Sequence, residues 1–401
     1  MKYVPIPIEM LPVGQPLPIN IVSDTGQLLL RKGQPIVSAA HRDKLHGFKA
    51  SASPSDALAW QRAYERMVHE LLRSGMDVQE VARAPMPTDI REVDYVVGQQ
   101  LHGGWLDLQE VLRGILYQGG LAINPLQRLI SIGKKARQLL TDDPDDSLFC
   151  LFQALADDSI GYCATHALLC SVVADLTAQR LNLDPMLRHS LFSAAMTMNI
   201  GMARDQDSMA RQNGPLTDWQ RALIAEHPRR SVDILSGFGV DDPDQLDIVR
   251  WHHDAAHPEG LERNLLLRRI LQLTDSFVAR TAARKTRSSQ SAVRAVKSMV
   301  IDAGGDALGV GSAMAQAVGF YPPGTYVQLF NGDVAVAVQR GERANTPWVV
   351  PITAADGMPY TKYACKETST PATAITAPVN FEKVRVAVNL EKIRRTRERL
   401  P

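Results

Sequence analysis

The chain has 401 residues, which is long for one domain at roughly 150 residues each and predicts two or three folded units. Hydrophobic residues make up 45% and charged residues 22%, a composition typical of a folded globular protein that excludes a disordered or fibrous one. With 44 basic and 43 acidic residues the formal net charge is +1, which argues against a general nucleic-acid binder.

Turn signals divide the first fifty residues into short apolar runs. Leu17 to Val22 and Leu28 to Leu30 lie on either side of Ser23-Asp24-Thr25-Gly26. Runs of that length predict a small β unit, built on a hairpin, over residues 1–54. The first residues show no signal-peptide pattern, and no apolar stretch reaches the roughly 18 residues of a spanning helix. The expectation is a cytoplasmic protein without a membrane span.

Helical periodicity dominates the middle of the chain. Residues 55–145 are predicted as a connector helix, ended by Pro85-Met86-Pro87, and a set of lead-in helices. The three-four spacing of apolar residues continues beyond them and predicts an all-helical domain over residues 146–320.

The pattern becomes strand-like again after this helical region. Thr325 to Leu329 and Val334 to Val338 alternate on either side of Asn331-Gly332, which is a strong hairpin signal. Residues 321–401 are therefore predicted as a β appendage that ends in a basic tail. The basic residues between Lys392 and Arg399 are typical of a solvated, frayed end.

The four cysteines form no Cys-x-x-Cys pair. Cys150, Cys163 and Cys170 fall in segments with the pattern of buried helix, whereas Cys365 follows them in the appendage. We predict that all of them are reduced, structural thiols.

The helical region contains five side chains of the types that bind metals: His166, His227, His252, His253 and Asp275. Histidine and carboxylate groups are suitable ligands for iron, manganese or zinc. Ligands from separate helices can enclose one or two such ions.

Two of these histidines also have structural interpretations. His166 shares a helical face with apolar neighbours and, taken alone, is more often a core histidine. His227 follows a helix start that Thr217 and Gln220 mark with a capping-box pattern. The proline that follows it, Pro228, is also compatible with a simple helix end, or helix punctuation, at this point.

The remaining candidates are less easily explained as structure. Adjacent histidines on a helix point about 100° apart and are awkward to bury without partners, although an exposed pair explains His252-His253 equally well. Asp275 lies on an apolar stripe, where a carboxylate needs a cation or several donors.

Further motifs join these residues in chain order: Tyr162-Cys163-Ala164-Thr165-His166, Met198-Asn199-Ile200-Gly201-Met202, Gly214-Pro215-Leu216-Thr217, His227-Pro228, His252-His253-Asp254, Ala256-His257-Pro258, Asp275 and Arg284-Lys285-Thr286-Arg287. Over about residues 157–324 this order and spacing resemble the HD-GYP family. That family carries Tyr-x-x-x-His, His-Asp-Ile-Gly-Lys, Gly-Pro-Leu-Thr, His-Pro, His-His-Glu, Gly-Tyr-Pro and an Asp before Arg-Pro-Tyr-Arg. The resemblance implies a mainly α fold, with an HD-type all-helical domain flanked by small N-terminal and C-terminal β segments.

The resemblance also implies a dinuclear metal site that hydrolyses cyclic di-GMP. His166 and Asp275 would hold one metal, and His227, His252 and His253 would hold the second. Iron, manganese and zinc are the candidate ions.

The signature loop departs from the family pattern, since its Gly-Tyr-Pro reads Ala256-His257-Pro258, and so do three positions of the implied metal site. Its histidine and bridging aspartate fall on Met198 and Asn199, and its lysine falls on Met202. Methionine is a poor ligand for hard divalent ions, and a neutral amide bridges more weakly than a carboxylate, so one or two ions at reduced occupancy are expected. Arg284 and Arg287 match a basic pair that would approach the phosphates or guanines, although plain solvated charge explains them equally well.

Three functions remain open on this basis. The first is a degenerate signalling protein that binds a cyclic dinucleotide, another phosphoester or a protein partner without efficient hydrolysis. The second is an active phosphodiesterase or other phosphohydrolase with altered metal ligands. The third is an interaction module whose histidines only pack the core.

Overall fold

The computed structural model describes residues 3–73, 76, 80, 84–90, 104–157, 161–282, 290–295, 309–384, 386 and 388–398. The chain divides into two compact units. One comprises Met1–Gly103, Glu110–Ile115 and Ile123–Ser131, and the other comprises Gly104–Gln109, Leu116–Ala122 and Ile132–Pro401. The finer division of the sequence into four parts stays a prediction.

The first unit contains a small antiparallel sheet. Its strands are β1 (Val4–Pro5), β2 (Ile21–Val22), β3 (Leu28–Leu30) and β4 (Ser51–Ala52), in the order β1-β4-β2-β3. Ile21 pairs with Leu30, so the predicted hairpin is confirmed.

Two helices accompany this sheet, α1 (Ala39–Gly47) and α2 (Pro54–Arg73). Trp60 of α2 is almost completely buried in a core that includes Ile21 and Ile36. The indole N–H of Trp60 donates to the Pro87 carbonyl at 2.7 Å, so the segment that follows the connector helix packs back onto it.

Helices make up most of the remaining chain. In chain order they are α3 (Trp105–Gln118), α4 (Pro125–Asp142), α5 (Pro144–Leu155), α6 (Tyr162–Arg180), α7 (Pro185–Thr197), α8 (Ala203–Ala210), α9 (Asp218–Gly237), α10 (Pro243–Trp251), α11 (Leu265–Thr281), α12 (Val310–Val318) and α13 (Leu390–Arg397).

Helix α6 is the central element of the second unit. Its residues from Cys163 to Ala178 are all buried, since this stretch is apolar or small on every face. It packs against α5, α7, α8, α11 and α12. A side chain on α6 is therefore surrounded by other helices on all sides.

Side-chain caps set the beginnings of several helices around α6. Asp143, Asp184 and Asp242 accept hydrogen bonds from the first-turn amides of α5, α7 and α10, and a proline follows each of them. At the start of α9, Thr217 and Gln220 form the predicted capping box in both directions. The capping residues and prolines in the sequence thus mark the observed starts of these helices.

A five-stranded antiparallel sheet follows the helices. Its strands are β5 (Tyr326–Leu329), β6 (Val334–Gln339), β7 (Trp348–Thr353), β8 (Lys366–Glu367) and β9 (Ile375–Val379), in the order β8-β7-β6-β5-β9. The hairpin predicted at Asn331-Gly332 joins β5 to β6, and Gly332 has a φ of 88° that suits a glycine in a tight turn.

The basic residues near the end of the chain form a packed helix as far as Arg397. The prediction of a frayed tail is therefore wrong for these residues. Asn389 caps α13, and Ile393 is buried against the C-terminal sheet. Arg394 forms a bidentate pair with Asp146, and Arg397 contacts Asp143, so the charges are neutralised at the start of α5.

The predicted fold class is confirmed, because an all-helical region is flanked by small N-terminal and C-terminal sheets. Cys150, Cys163 and Cys170 are buried and Cys365 is partly buried, with each thiol free of a disulfide. Every helix within the described residues is too short or too polar to cross a bilayer.

Candidate metal centre

The second unit brings the five predicted ligands into two clusters. In the first cluster, which we call the histidine cluster, ligand atoms of His227, His252 and His253 all lie within 4.8 Å of one another. In the second cluster the same limit holds for His166, Asp275 and a residue that was not among the candidates, Cys170.

His227 lies inside α9, not at its end. The interpretation of His227-Pro228 as helix punctuation is wrong, because α9 continues through Pro228 to Gly237. Proline has no N–H to donate to the carbonyl four residues earlier, that of Ile224. The Nδ1 atom of His227 is 2.6 Å from this carbonyl oxygen and takes the missing donor's place. Pro228 therefore helps to orient the imidazole.

His252 is oriented in a similar way at the end of α10. Its Nδ1 atom is 2.7 Å from the carbonyl oxygen of Val249. Carbonyl partners of this kind fix the tautomer of a histidine and leave Nε2 as the unprotonated nitrogen. The Nε2 atoms of His227 and His252 are only 3.2 Å apart.

The electrostatics of this pair favour a cation between the rings. Burial lowers the pKa of His227 to about 4, and burial also holds the pKa of His252 well below its usual range. Both rings are therefore neutral near pH 7, and two lone pairs face each other at the Nε2 atoms. Such an arrangement is repulsive unless a proton or a metal ion lies between the nitrogens.

His253 differs from His252 in exposure, so the exposed-pair interpretation applies to only one of the two. His252 is fully buried, whereas His253 is exposed. The His253 ring centroid is 4.1 Å from that of His252 and 5.1 Å from that of His227. Its backbone carbonyl accepts a hydrogen bond from Gln272 of α11 at 2.8 Å.

Only 1% of the His166 surface is exposed, as expected of a core histidine, yet its ring faces a carboxylate. Its Nε2 atom is 3.3 Å from Oδ1 of Asp275 on α11. The ring of Tyr162, one turn earlier on α6, lies 5.1 Å away. The start of α6 is held by Asp207, whose Oδ1 accepts the Cys163 N–H at 2.6 Å.

The turn after α7 carries the three positions that depart from the family pattern. Met198 is fully buried, and its carbonyl accepts the Ser231 hydroxyl at 2.7 Å. A Cβ on Gly201 would lie 2.8 Å from the His227 carbonyl oxygen, so only glycine fits this close to α9. Asn199 is 3% exposed, and its Nδ2 atom has no hydrogen-bond partner among the described residues.

A pocket of about 200 Å³ opens beside the two clusters. Residues that line it include His166, Asn199, Met202, Gln206, His253 and Asp275. This volume is enough for ions, water and a phosphoryl group, and it is smaller than the roughly 300–1,000 Å³ of a site that encloses a whole ligand.

Met202 occupies the wall of this pocket where the family's lysine is expected, so that cation is absent from the position. Gln206 lines the same wall, and its Oε1 atom is buried without a partner. The segment Ala256-His257-Pro258 places the His257 ring on Trp251, with centroids 3.6 Å apart. Arg284 and Arg287 lie outside the described residues.

A buried ion pair supports the turn that follows the histidine cluster. Nη1 of Arg268 is 2.9 Å and 3.1 Å from the two carboxylate oxygens of Asp247, and Nε donates to the Ala255 carbonyl. Asp247 also accepts the Leu261 N–H at 2.8 Å. A Cβ on Gly260 would overlap the Arg268 guanidinium, which explains the glycine.

Sequence reasoning did not single out Cys170 or the Arg268–Asp247 pair, and it did not predict that Pro228 orients His227. The four-residue spacing between His166 and Cys170 was a usable signal, because residues at i and i+4 share a helix face. The pairing of Arg268 with Asp247 has no comparable signal, since it joins two different helices.

Comparisons with known proteins identify a family for the helical region. The family model for the HD domain matches residues 151–307. A cyclic di-GMP phosphodiesterase of Pseudomonas aeruginosa, PA4108, is 28% identical over 211 residues, which cover 51% of this chain and 50% of that protein. The chain thus matches about half the length of this curated relative.

One similar solved structure is Bd1817 of Bdellovibrio bacteriovorus, described as an HDG"Y"P protein. It has a TM-score of 0.42 and 16% identity, and the match covers 78% of this chain and 98% of that one. The matched helical region is an HD domain. The order of its motifs resembles that of the HD-GYP family.

Replacing Pro228 with alanine tests the orienting role of this proline. The new N–H would donate to the Ile224 carbonyl and compete with Nδ1 of His227. We expect zinc affinity of the histidine cluster to fall by about 10-fold, which is typical when a metal-binding histidine loses its hydrogen-bond partner, while the helix becomes more stable. Chelator-competition titration and thermal unfolding measure the two effects.

The matched control is Pro185→Ala at the first turn of α7, where proline removes no helical hydrogen bond. Unchanged zinc affinity in Pro228→Ala would show that the proline does not orient His227.

Proposed function

We propose that this HD-GYP domain binds metal and a phosphoester of the cyclic dinucleotide type, and passes on the bound state with little hydrolysis. The observation that carries the proposal is the turn after α7, where Met198, Asn199 and Met202 stand at the positions of the family's catalytic histidine, aspartate and lysine.

Hydrolysis in a dinuclear site needs a hydroxide held between two metals and a polarised phosphoryl oxygen. Bound metal ions supply that polarisation. Among the residues that line the pocket, Asn199 offers a neutral amide where a bridging carboxylate is required, and Met202 offers no positive charge. The attacking and leaving oxygens are therefore less well stabilised than in a site with the full motif.

Binding makes fewer demands than hydrolysis. The opposed lone pairs of His227 and His252 support retention of an ion in the histidine cluster. The unpartnered Nδ2 of Asn199 lines the same pocket and is suited to donate to a phosphate oxygen. A cyclic dinucleotide is the favoured ligand because the Pseudomonas aeruginosa relative is named a cyclic di-GMP phosphodiesterase.

An active phosphohydrolase with altered ligands is the second candidate. The observation in its favour is that two separate clusters of ligand-type atoms survive beside one pocket. The third hypothesis, an interaction module without metal, is disfavoured by the 3.2 Å separation of the two Nε2 atoms, which histidines that only pack the core would avoid.

Restoring the family motif tests the proposal. The triple variant Met198→His, Asn199→Asp, Met202→Lys returns the bridging carboxylate, the ligand and the cation. We expect its rate of cyclic di-GMP hydrolysis, with manganese or iron added, to exceed that of the wild type by about 100-fold or more. Wild-type protein is expected to bind cyclic di-GMP in calorimetry and to form almost no linear product.

The matched control is Met209→Lys, which places a cation in the wall of the same pocket outside the motif. A wild-type rate equal to that of the triple variant would overturn the proposal and favour the active enzyme. Absence of both metal and cyclic di-GMP binding in the wild type would favour the interaction module.

A further inference from the structure

The cluster of His166, Cys170 and Asp275 contains a thiol that the family pattern does not use. We propose that Cys170 Sγ is the third protein ligand of the metal position formed by His166 and Asp275, in place of the histidine that Met198 replaces. The inference rests on the proposed function, because it assumes that the pocket holds metal.

The three ligand atoms lie within 4.8 Å of one another, close enough for an ion to draw them together when the Cys170 side chain moves. Nε2 of His166 is 3.3 Å from Oδ1 of Asp275 and 3.8 Å from Sγ of Cys170. Bonds of about 2.0–2.1 Å to nitrogen and oxygen and about 2.3 Å to sulfur, at tetrahedral angles, separate nitrogen and oxygen by about 3.3 Å and nitrogen and sulfur by about 3.6 Å. Nε2 and Oδ1 already have the separation that one zinc-like ion needs, whereas Sγ must move by about 1 Å or more, because an ion on the Nε2 lone pair would hold Sγ about 5 Å from Nδ1 instead of 3.7 Å.

Hydrogen bonds within the metal-free cluster are weak. Sγ of Cys170 is almost equally far from both ring nitrogens of His166, at 3.7 Å and 3.8 Å, so it is directed at neither lone pair before an ion binds. The contact between His166 and Asp275 is slightly longer than the 2.7–3.2 Å usual for an N–H···O bond.

The cluster also leaves room for a fourth ligand. His166 and Cys170 are completely buried, whereas the Asp275 side chain is 19% exposed and lines the pocket together with Asn199. Three protein ligands with one open position are typical of a metal site that also binds water or substrate. The open side faces the pocket in which the phosphoester is proposed to bind.

Coordination by Cys170 requires loss of the thiol proton. Burial and the nearby Asp275 carboxylate raise the pKa of Cys170 well above its usual range, so the metal-free protein carries a thiol. When a divalent ion binds, the S–H bond breaks, a metal–sulfur bond forms and one proton leaves to solvent. No oxidant or reductant takes part.

A thiolate ligand changes which metals the site selects. Thiolates favour zinc and ferrous iron, whereas magnesium and manganese prefer oxygen ligands. If Cys170 takes over the ligand role of the missing histidine, the site still holds an ion, and the metal preference of the site moves towards zinc. Zinc has no redox chemistry, and such a site is suited to hold a phosphate oxygen steadily.

Cobalt(II) is the probe, because it replaces zinc and gives a near-ultraviolet charge-transfer band when a thiolate coordinates it. We expect the full-length wild-type protein, kept reduced with a phosphine, to show this band on cobalt titration. Cys170→Ser should lose the band and one equivalent of bound cobalt, and keep the visible bands of the histidine cluster. Cys170→Ala serves if serine prevents folding.

The matched control is Cys163→Ser, a buried thiol on the same helix that is not part of the cluster, and it should keep the band. The band in Cys170→Ser, or bound cobalt without the band in the wild type, would overturn this inference and leave the proposed function intact. Wild-type protein that binds no cobalt would overturn both.

Discussion

Replacing His252 with glutamine is expected to remove the metal from the histidine cluster. Nε2 of this fully buried ring lies 3.2 Å from Nε2 of His227, so the substitution deletes one of two nitrogens that converge on the same point. Loss of a direct ligand should lower zinc affinity more than the roughly 10–100-fold that follows when a ligand loses its hydrogen-bond partner, so we expect a fall of more than about 100-fold. Chelator competition and elemental analysis measure it.

The same variant separates metal binding from packing. The opposed lone pairs disappear with the imidazole, so the metal-free variant should unfold at or above the wild-type temperature. Excess zinc should raise the unfolding temperature of the wild type, because it binds only the folded state, and should raise that of His252→Gln much less.

His257→Gln is the control, since His257 stacks on Trp251 and does not belong to the cluster. Wild-type zinc affinity in His252→Gln would mean that these histidines only pack the core.

Replacing Arg268 with methionine is expected to destabilise the fold by about 3–5 kcal/mol. The substitution leaves the Asp247 carboxylate buried without its counter-ion, and breaking one side of a buried pair has a cost of this size. The Ala255 carbonyl loses its donor as well. Urea denaturation of metal-free protein gives the free energy of unfolding.

Arg263→Met is the matched control, because Arg263 pairs with Asp244 while its side chain remains 56% exposed. An exposed pair of this kind contributes about 0–1 kcal/mol. Adding Asp247→Leu to Arg268→Met should recover much of the loss, since the unpaired charge is then gone. An Arg268→Met variant that loses no more stability than Arg263→Met would contradict the argument.

Local signals were sufficient to predict many elements. Thr217 and Gln220 predicted the start of α9, and Asn331-Gly332 predicted the hairpin between β5 and β6, because caps and tight turns depend on residues only a few positions apart. The C-terminal helix was missed because its stability comes from distant partners: Arg394 and Arg397 pair with carboxylates at the start of α5.

The candidate site divides in the same way. The sequence by itself determined the HD domain and predicted the five ligand-type residues and the replacement of the His-Asp pair by Met198 and Asn199, because motif order and residue chemistry are properties of the chain. Their roles as metal ligands stay proposals.

Only the tertiary structure decided how these residues meet. It placed Cys170 beside His166 and Asp275, opposed the Nε2 atoms of His227 and His252, and showed that Pro228 frees a carbonyl for an imidazole. Each of these contacts depends on distances of a few ångströms. Those between separate helices are set by the packing of α6 against α11 and of α9 against α10 rather than by spacing along the chain.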